Sequence, residues 1–469
     1  MIDLVVRRAR LAGQPDGELS DLLVDQGRFA EIRPAAGGAD EADGAHGADA
    51  TDGADATDGA DGLPPARSVI DARGAFVSPP YVEPHVHLDT TLTAGEPRWN
   101  QSGTLWEGIA CWSERKITLT QADVTDRATE VLRWQAANGV LHVRSHVDVT
   151  DPGLVALDAL AEVRDRVKDV ISLQLVAFPQ EGICSFPGGE QLMTEAAARG
   201  ADVIGAIPHF EDTREDGVRS LEIAFELAGR LGLMVDAHCD EIDDDQSRFA
   251  EVLATLAGRS GLREKATASH TTAMGSYNAA YAFKLERILA RSGINLVSNP
   301  MVNLHLQGRL DDYPKRRGLT RVKELLAAGV NVAFGHDDIM DPWYPLGTGN
   351  PAQVAFVGAH AAQLMSPAQI AECFAMVTSR AAAVLSLGDA YGIAPGRPAS
   401  FVVLPASGPY DVVRRQVRPT HVVAHGQVVA TTPASVTTLH WPGEQATAVD
   451  FVRHRDEAAA TWREPHTPV

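Results

Sequence analysis

The chain has 469 residues, 45% of them hydrophobic, and a formal net charge of −21 from 62 acidic and 41 basic side chains. That length exceeds a single small core and fits a large unit with an accessory one. A surface this acidic repels phosphate backbones and anionic headgroups, so neither nucleic acid nor a membrane is an expected partner.

The first residues, Met1-Ile-Asp-Leu-Val-Val-Arg, carry charge where a signal peptide needs an apolar stretch. No run approaches the roughly 20 apolar residues of a membrane span. Cys111, Cys184, Cys239 and Cys373 form no Cys-x-x-Cys pair, which suggests reduced thiols. A soluble, cytoplasmic protein is expected. Residues 4–6, 21–24 and 68–71 read as short strands. Between them, residues 37–62 repeat Gly, Ala, Asp and Thr without one Lys, Arg or large apolar residue. That composition predicts a disordered acidic insertion. Near the other end, 400–404 and 421–429 have strand character. Both termini are therefore expected to build one small β-sandwich, from 1–77 and 391–442, with 443–469 as a polar extension.

Residues 78–390 alternate strands and helices, the pattern of a parallel α/β unit. A strand before His85 is followed by strands at 140–147, 171–178, 203–208, 233–238, 266–270, 294–298 and 330–335. Eight is the number a closed (β/α)8 TIM-like barrel needs. Between them, Thr120-x-x-Asp123 resembles a capping box for a helix that stops at Asn138-Gly139. Asp151-Pro152 opens another helix with Pro in its first turn, and a helical run over 320–328 stops at Gly329.

Four strand ends carry metal-type or proton-transferring side chains: His85-Val86-His87, His238-Cys239-Asp240-Glu241, Ser269-His270 and His336-Asp337-Asp338. On an extended strand, residues two apart share a side, so His85 and His87 point together. His238 and Asp337 would complete four ligands, a set that suits zinc or iron(II) and leaves a position for water. Glu241, three residues past His238, can carry protons. His270 ends its own strand on the same rim and is read as catalytic. Cys239 reads as a small buried thiol, since neighbouring strand residues face opposite sides. His146 and His209 read as structural. His209-Phe210-Glu211 is a His-x-Glu, but the Pro-Cys-x-x-Cys that accompanies it in the nucleoside-type zinc deaminases is absent. No Lys lies between 201 and 213 to bridge two metals, so one ion is expected.

Together, Glu83-Pro-His-Val-His-Leu-Asp-Thr-Thr91, Val176-Ala-Phe-Pro-Gln-Glu-Gly182, Ala237-His-Cys-Asp-Glu-Ile-Asp-Asp244, Ala268-Ser-His-Thr-Thr-Ala-Met274 and Phe334-Gly-His-Asp-Asp-Ile339 resemble the amidohydrolase superfamily, and within it the bacterial cytosine deaminases. The resemblance implies that His85, His87, His238 and Asp337 hold one divalent ion per subunit, iron(II) or zinc. It implies that Glu241 shuttles a proton while His270 and Asp337 activate water. Gln180, with Phe178 nearby, resembles the reader of a pyrimidine carbonyl edge, and Asp338 and Trp343 resemble pocket residues. The activity it implies is hydrolytic deamination of cytosine, a free base, to uracil and ammonia. Isoguanine, creatinine or an aminotriazine are alternative rings. A cyclic-amide hydrolase and a non-catalytic barrel are more distant readings. Relatives of this family are commonly homo-oligomeric.

Overall fold

The computed structural model describes residues 1–15, 17–35, 62–449 and 451–452. The acidic segment 37–62, apart from Gly62, and the extension beyond 452 lie outside the described residues. The first sheet contains β1 (Ile2–Leu11), β2 (Ser20–Asp25), β3 (Arg28–Pro34), β4 (Ala66–Asp71) and β5 (Phe76–Ser78). The barrel follows with β6 (Tyr81–Val86), β7 (Val140–Asp148), β8 (Ser172–Phe178), β9 (Val203–Ala206), β10 (Met234–Cys239), β11 (Ala266–His270), β12 (Asn295–Ser298) and β13 (Asn331–Phe334). The chain then returns to the first sheet with β14 (Phe401–Leu404), β15 (His421–Ala424) and β16 (Gln427–Thr431).

The terminal sheet runs β16-β15-β14-β5-β1-β2-β3, with β4 also on β1. β1 is long enough to pair with β4 through Ile2–Arg7 and with β5 through Arg10 and Leu11. Its core joins Leu4, Val6, Leu22 and Phe29 from the N-terminal strands to Phe401, Val403 and Val423 from the C-terminal ones. The stretch 421–429 is not one strand. His425 and Gly426 both have positive φ, the conformation of a tight hairpin turn, and they fold β16 back on β15.

The eight barrel strands are parallel and neighbour one another in sequence order. Their residues are almost all buried, as expected for strands covered on both faces. The outer helices begin with α1 (Leu105–Lys116), α2 (Gln121–Ala137), α3 (Val155–Val167), α4 (Gly189–Ala198) and α5 (Arg214–Leu231). The ring continues with α6 (Phe249–Ser260), α7 (Ala279–Ser292), α8 (Pro300–Leu306), α9 (Val322–Ala327), α10 (Pro351–Ala361), α11 (Pro367–Met376) and α12 (Ser379–Val384).

Helix α5 shows why these elements form. Thr213 caps its start by accepting the Asp216 N–H, and Gly232 ends it in the left-handed region. Leu221, Ala224, Phe225 and Ala228 make the buried stripe between. Each large side chain buried there contributes about 1.5–3 kcal/mol, and Leu221→Ala would lose about 2–5 kcal/mol. Thr120 caps α2 in the same way. Pro152, however, precedes its helix. The Asp151 carboxylate accepts the N–H groups of Gly153 and Val155, both at 3.0 Å, so a turn comes first and α3 starts at Val155. No helix among the described residues is long and apolar enough to cross a membrane.

Candidate metal centre and its cavity

The chemistry-bearing side chains gather at the C-terminal ends of β6, β8, β10, β11 and β13. His85 lies in the last turn of β6 and His87 just beyond it, so the alternation of the strand aims both rings inward. His238 comes from β10 and Asp337 follows β13. Asp337 Oδ1 is 3.3 Å from His85 Nε2 and 3.4 Å from His87 Nε2, and His87 Nε2 is 3.2 Å from His238 Nε2. Adjacent donors on a tetrahedral ion with bonds of about 2.1 Å would stand about 3.4 Å apart. His85 Nε2 and His238 Nδ1 are buried without a hydrogen-bond partner.

Burial and neighbouring charge act differently on the three imidazoles. Burial pushes His85 down to about 3 and His238 well below its ordinary range, so both rings keep a free lone pair. Burial works against the Asp337 carboxylate, but the neighbouring His85 and His270 outweigh it and hold that group in its charged form. Burial also works against a charged His87, but the Asp337 carboxylate beside it outweighs that and raises its pKa. Buried imidazoles gathered around one carboxylate fit a divalent cation.

A buried relay fixes the His85 ring. Arg144, fully buried in the barrel, donates to Asp236 Oδ2 at 2.9 Å and to the carbonyl of Val384 on α12 at 3.0 Å. Ser269 Oγ donates to Asp236 Oδ1 at 2.7 Å. Its hydroxyl proton is thereby committed, so Ser269 Oγ accepts from His85 Nδ1 at 3.0 Å. The proton then sits on Nδ1, and Nε2 is left with a free lone pair that could bind a metal ion. Asp236 is engaged by Arg144 and Ser269, while His85 with His87 and Asp337, and His85 with His238 and His270, bring their ligand atoms within 4.8 Å of one another. The His146 ring centroid lies 3.9 Å from that of His85 with the planes at 31°, and its Nε2 is 3.8 Å from Asp236 Oδ2.

Glu241 and His270 lie beside this cluster. His270 Nδ1 is 3.1 Å from Glu241 Oε1 and 3.8 Å from Asp337 Oδ2. Asn303 on α8 touches both, 3.0 Å from His270 Nδ1 and 3.4 Å from Glu241 Oε1. Burial disfavours a charged His270, yet Glu241 and Asp337 overcome it and raise its pKa. Asp240, His270, Thr271 and Asp337 all have φ between 49° and 71°. Non-glycine residues held there store strain, a recurrent feature of functional sites.

A narrow pocket sits over this cluster. It is lined by His87, Leu105, Gln180, Ile207, His238, Glu241, His270, Leu306, Asp337, Asp338 and Trp343. Gln180 and Asp338 are 4% exposed, and the Gln180 side-chain amide has no hydrogen-bond partner among the described residues. Asp338 faces Asp341, and burial plus that neighbour push its carboxyl well above the usual range. Trp343 donates its indole N–H to the Leu105 carbonyl at 3.2 Å and presses on Gly108, where a Cβ would lie 2.4 Å from the ring. Phe178 does not line the cavity. It stacks on His238, with centroids 4.0 Å apart and planes at 22°, because its place near the end of β8 turns it to the ligand layer.

Several participants escape the sequence reading. Leu105, Ile207 and Leu306 form the apolar wall, and Asn303 bridges Glu241 and His270. Glu83 is fully buried and accepts the N–H groups of His85 at 3.1 Å and His336 at 3.0 Å. Burial pushes it up to about 8. A carboxylate two residues before His-x-His was the available signal for Glu83. Nothing local marks Asn303.

Residues 68–430 match the Amidohydrolase family. Over 366 residues the chain is 27% identical to N-isopropylammelide isopropyl amidohydrolase of Pseudomonas sp., covering 77% of this chain and 87% of that protein. Over 363 residues it is 30% identical to a pterin deaminase of Rhizobium rhizogenes, covering 76% and 82%. Among solved structures, a 5-methylcytosine deaminase from Klebsiella pneumoniae liganded with 5-fluorocytosine is similar at 47% identity. It has a TM-score of 0.85 and covers 94% of this chain and all of that one.

Proposed function

The chain belongs to the amidohydrolase family, and on that premise we propose that it hydrolytically deaminates a free aminopyrimidine, cytosine or a C5-substituted cytosine. The observation that carries this reading is the lining of the pocket, which sets Gln180 and Asp338 against an apolar wall beside the His and Asp cluster. The unpartnered Gln180 side-chain amide offers a bound ring both a donor and an acceptor, as a carbonyl–NH edge requires. The wall of Leu105, Ile207, Leu306 and Trp343 suits an apolar ring edge. The similarity to a 5-methylcytosine deaminase supports that class.

His85, His87, His238 and Asp337 would hold one divalent ion, iron(II) or zinc, which when bound acidifies a water toward neutrality. Asp337 and His270 take the proton of that water. Glu241 protonates the ring nitrogen next to the amino-bearing carbon, which accepts the electron pair of the attacked C=N bond. The C–O bond forms, the C–N bond breaks, and the amino group leaves as ammonia with a proton relayed through Glu241 or His270. Asn303 keeps those two groups aligned. Residues 78–390 form the catalytic unit in this reading.

The test is ammonia release from cytosine, 5-methylcytosine, isoguanine, N-isopropylammelide and pterin, with enzyme loaded separately with iron(II) and zinc. Preference for the two pyrimidines is the expected result. Preference for pterin or ammelide would overturn the assignment of the cavity while leaving the family intact.

A further inference from the structure

The His209-x-Glu211 motif has no place in the metal centre, yet Glu211 is 7% exposed. Its carboxylate reaches across from the loop after β9 to the loop after β8. Oε1 accepts the N–H groups of Ile183 at 2.7 Å and Cys184 at 3.2 Å, and Oε2 accepts that of Ser185 at 2.8 Å. Three consecutive amides thus converge on one side chain. Ser185 returns the tie, its Oγ accepting the Asp212 N–H at 2.9 Å. Gly182 is the residue that permits this approach. Its φ is +87°, and a Cβ there would lie 2.7 Å from Glu211 Oε2, so any other residue would push the carboxylate out.

The same loop is held from its other side. Glu181 receives Ser113 Oγ at 3.0 Å and the ammonium of Lys116, both from α1. Lys116 also donates to Asp148 Oδ2 at 3.1 Å and Thr150 Oγ1 at 2.9 Å. Asp148 in turn accepts the Trp112 indole N–H at 2.9 Å. Lys116 is therefore anchored to the end of β7, and Glu181 is anchored to Lys116. The one loop residue that lines the cavity, Gln180, lies immediately before Glu181 and two residues before Gly182.

We infer that Glu211 and Lys116 are positioning residues that set the Gln180 amide against the substrate ring, one clamp on each side of it. Neither touches the cavity, so neither is a catalytic residue. The inference rests on the reading of Gln180 as the group that binds the ring edge. Among the described residues the Gln180 side chain makes no hydrogen bond, while its backbone N–H donates to the Phe178 carbonyl at 3.2 Å, so the side chain's place is set by the backbone that carries it. Charged acceptors hold amides more strongly than neutral ones, which is why a carboxylate suits the three-amide nest. An uncharged amide at 211 would turn an NH2 group toward at least one of those donors and open the loop.

The experiment is a pair of double-mutant cycles read as kcat and KM for cytosine, or for the best substrate of the panel above. Gln180→Ala is combined with Glu211→Gln in one and with Lys116→Met in the other. Displacing a positioned group by about 1 Å costs up to about 10²-fold. Because a ring-edge contact is made in ground and transition states alike, the loss is expected in KM more than in kcat. Each single variant should keep wild-type metal content. On the Gln180→Ala background, Glu211→Gln and Lys116→Met should each cost little more, because their effect runs through the missing amide.

Full additivity on that background, with Gln180→Ala itself damaging, would overturn the clamp and leave the reading of Gln180 standing. A Gln180→Ala enzyme with wild-type KM would overturn that reading, and the clamp with it. Should Glu211→Gln fail to fold, the Lys116→Met cycle decides, since that side chain sits on the outer helix and leaves the nest intact.

Discussion

Asp337 donates its backbone N–H to the carbonyl of His85 at 2.8 Å, while its carboxylate lies 3.3 Å from Nε2 of the same histidine. One residue therefore closes the barrel between β13 and β6, where an isolated Val86–Asp337 bridge joins the strands, and also faces the proposed ion. Removing the ion should loosen the seam as well as stop turnover. Chelation is expected to lower Tm, since a ligand at 100 times its Kd adds about 2.7 kcal/mol. Hydrogen exchange should accelerate at 85–87 and 335–337 more than in α5. Equal protection of the seam with and without metal would dissociate the two roles.

Ser269→Ala removes the acceptor that holds the proton on His85 Nδ1, and leaves one oxygen of Asp236 without its donor. Outer partners of a ligand typically support about 10–100-fold in metal affinity. The variant should bind zinc more weakly by a factor in that range while the far-ultraviolet spectrum stays native. A competition titration with a chromophoric chelator measures it, and unchanged affinity would show that the His85 tautomer is set some other way.

Glu241→Gln keeps the shape of the side chain and its contact with Asn303 but cannot deliver a proton. Positioned proton transfer is worth about 10²–10⁴-fold, so kcat should fall by that factor with full metal occupancy. Near-normal turnover in a metal-replete variant would remove Glu241 from the mechanism.

His142 is largely shielded beneath Tyr391, their rings 5.9 Å apart, with Nδ1 unpartnered. Burial pushes its pKa from 6.5 down to about 4. Between those values the unfolded chain binds a proton that the folded chain refuses, so folding stability falls as pH drops through that window. With residual solvent screening, about 1–2 kcal/mol is at stake. In His142→Phe the decline in Tm between pH 6.5 and 4 should be shallower than in the wild type. Parallel pH profiles would assign the acid sensitivity to other groups.

Much of this molecule is written in local pattern. All eight barrel strands fall where short, mostly apolar runs stand in the sequence, although Glu83, Arg144, Asp236 and Ser269 are buried inside them. The strand-end histidines and carboxylates stand out as polar groups where the run stops. What local pattern does not carry is partnership across the barrel. Arg144 reads as one charge in a strand, and only its contacts with Asp236 and Val384, 92 and 240 residues away, make it the floor of the site. Asn303 and Leu105 become site residues because α8 and α1 cover the barrel mouth. Asp151-Pro152 misleads for a local reason: the Asp side chain satisfies two amides itself and delays the helix.

The narrow strand β5 has a consequence for biosynthesis. One edge of it pairs with β1 and the other with β14, through Ser78–Val402 and Phe76–Leu404. At about 5–20 residues per second, the ribosome leaves that second edge open for on the order of tens of seconds. Throughout that interval the nascent chain displays Phe76 and Val77 on an unmatched strand. The last strands to emerge, β14 to β16, complete the sheet that the first strands begin.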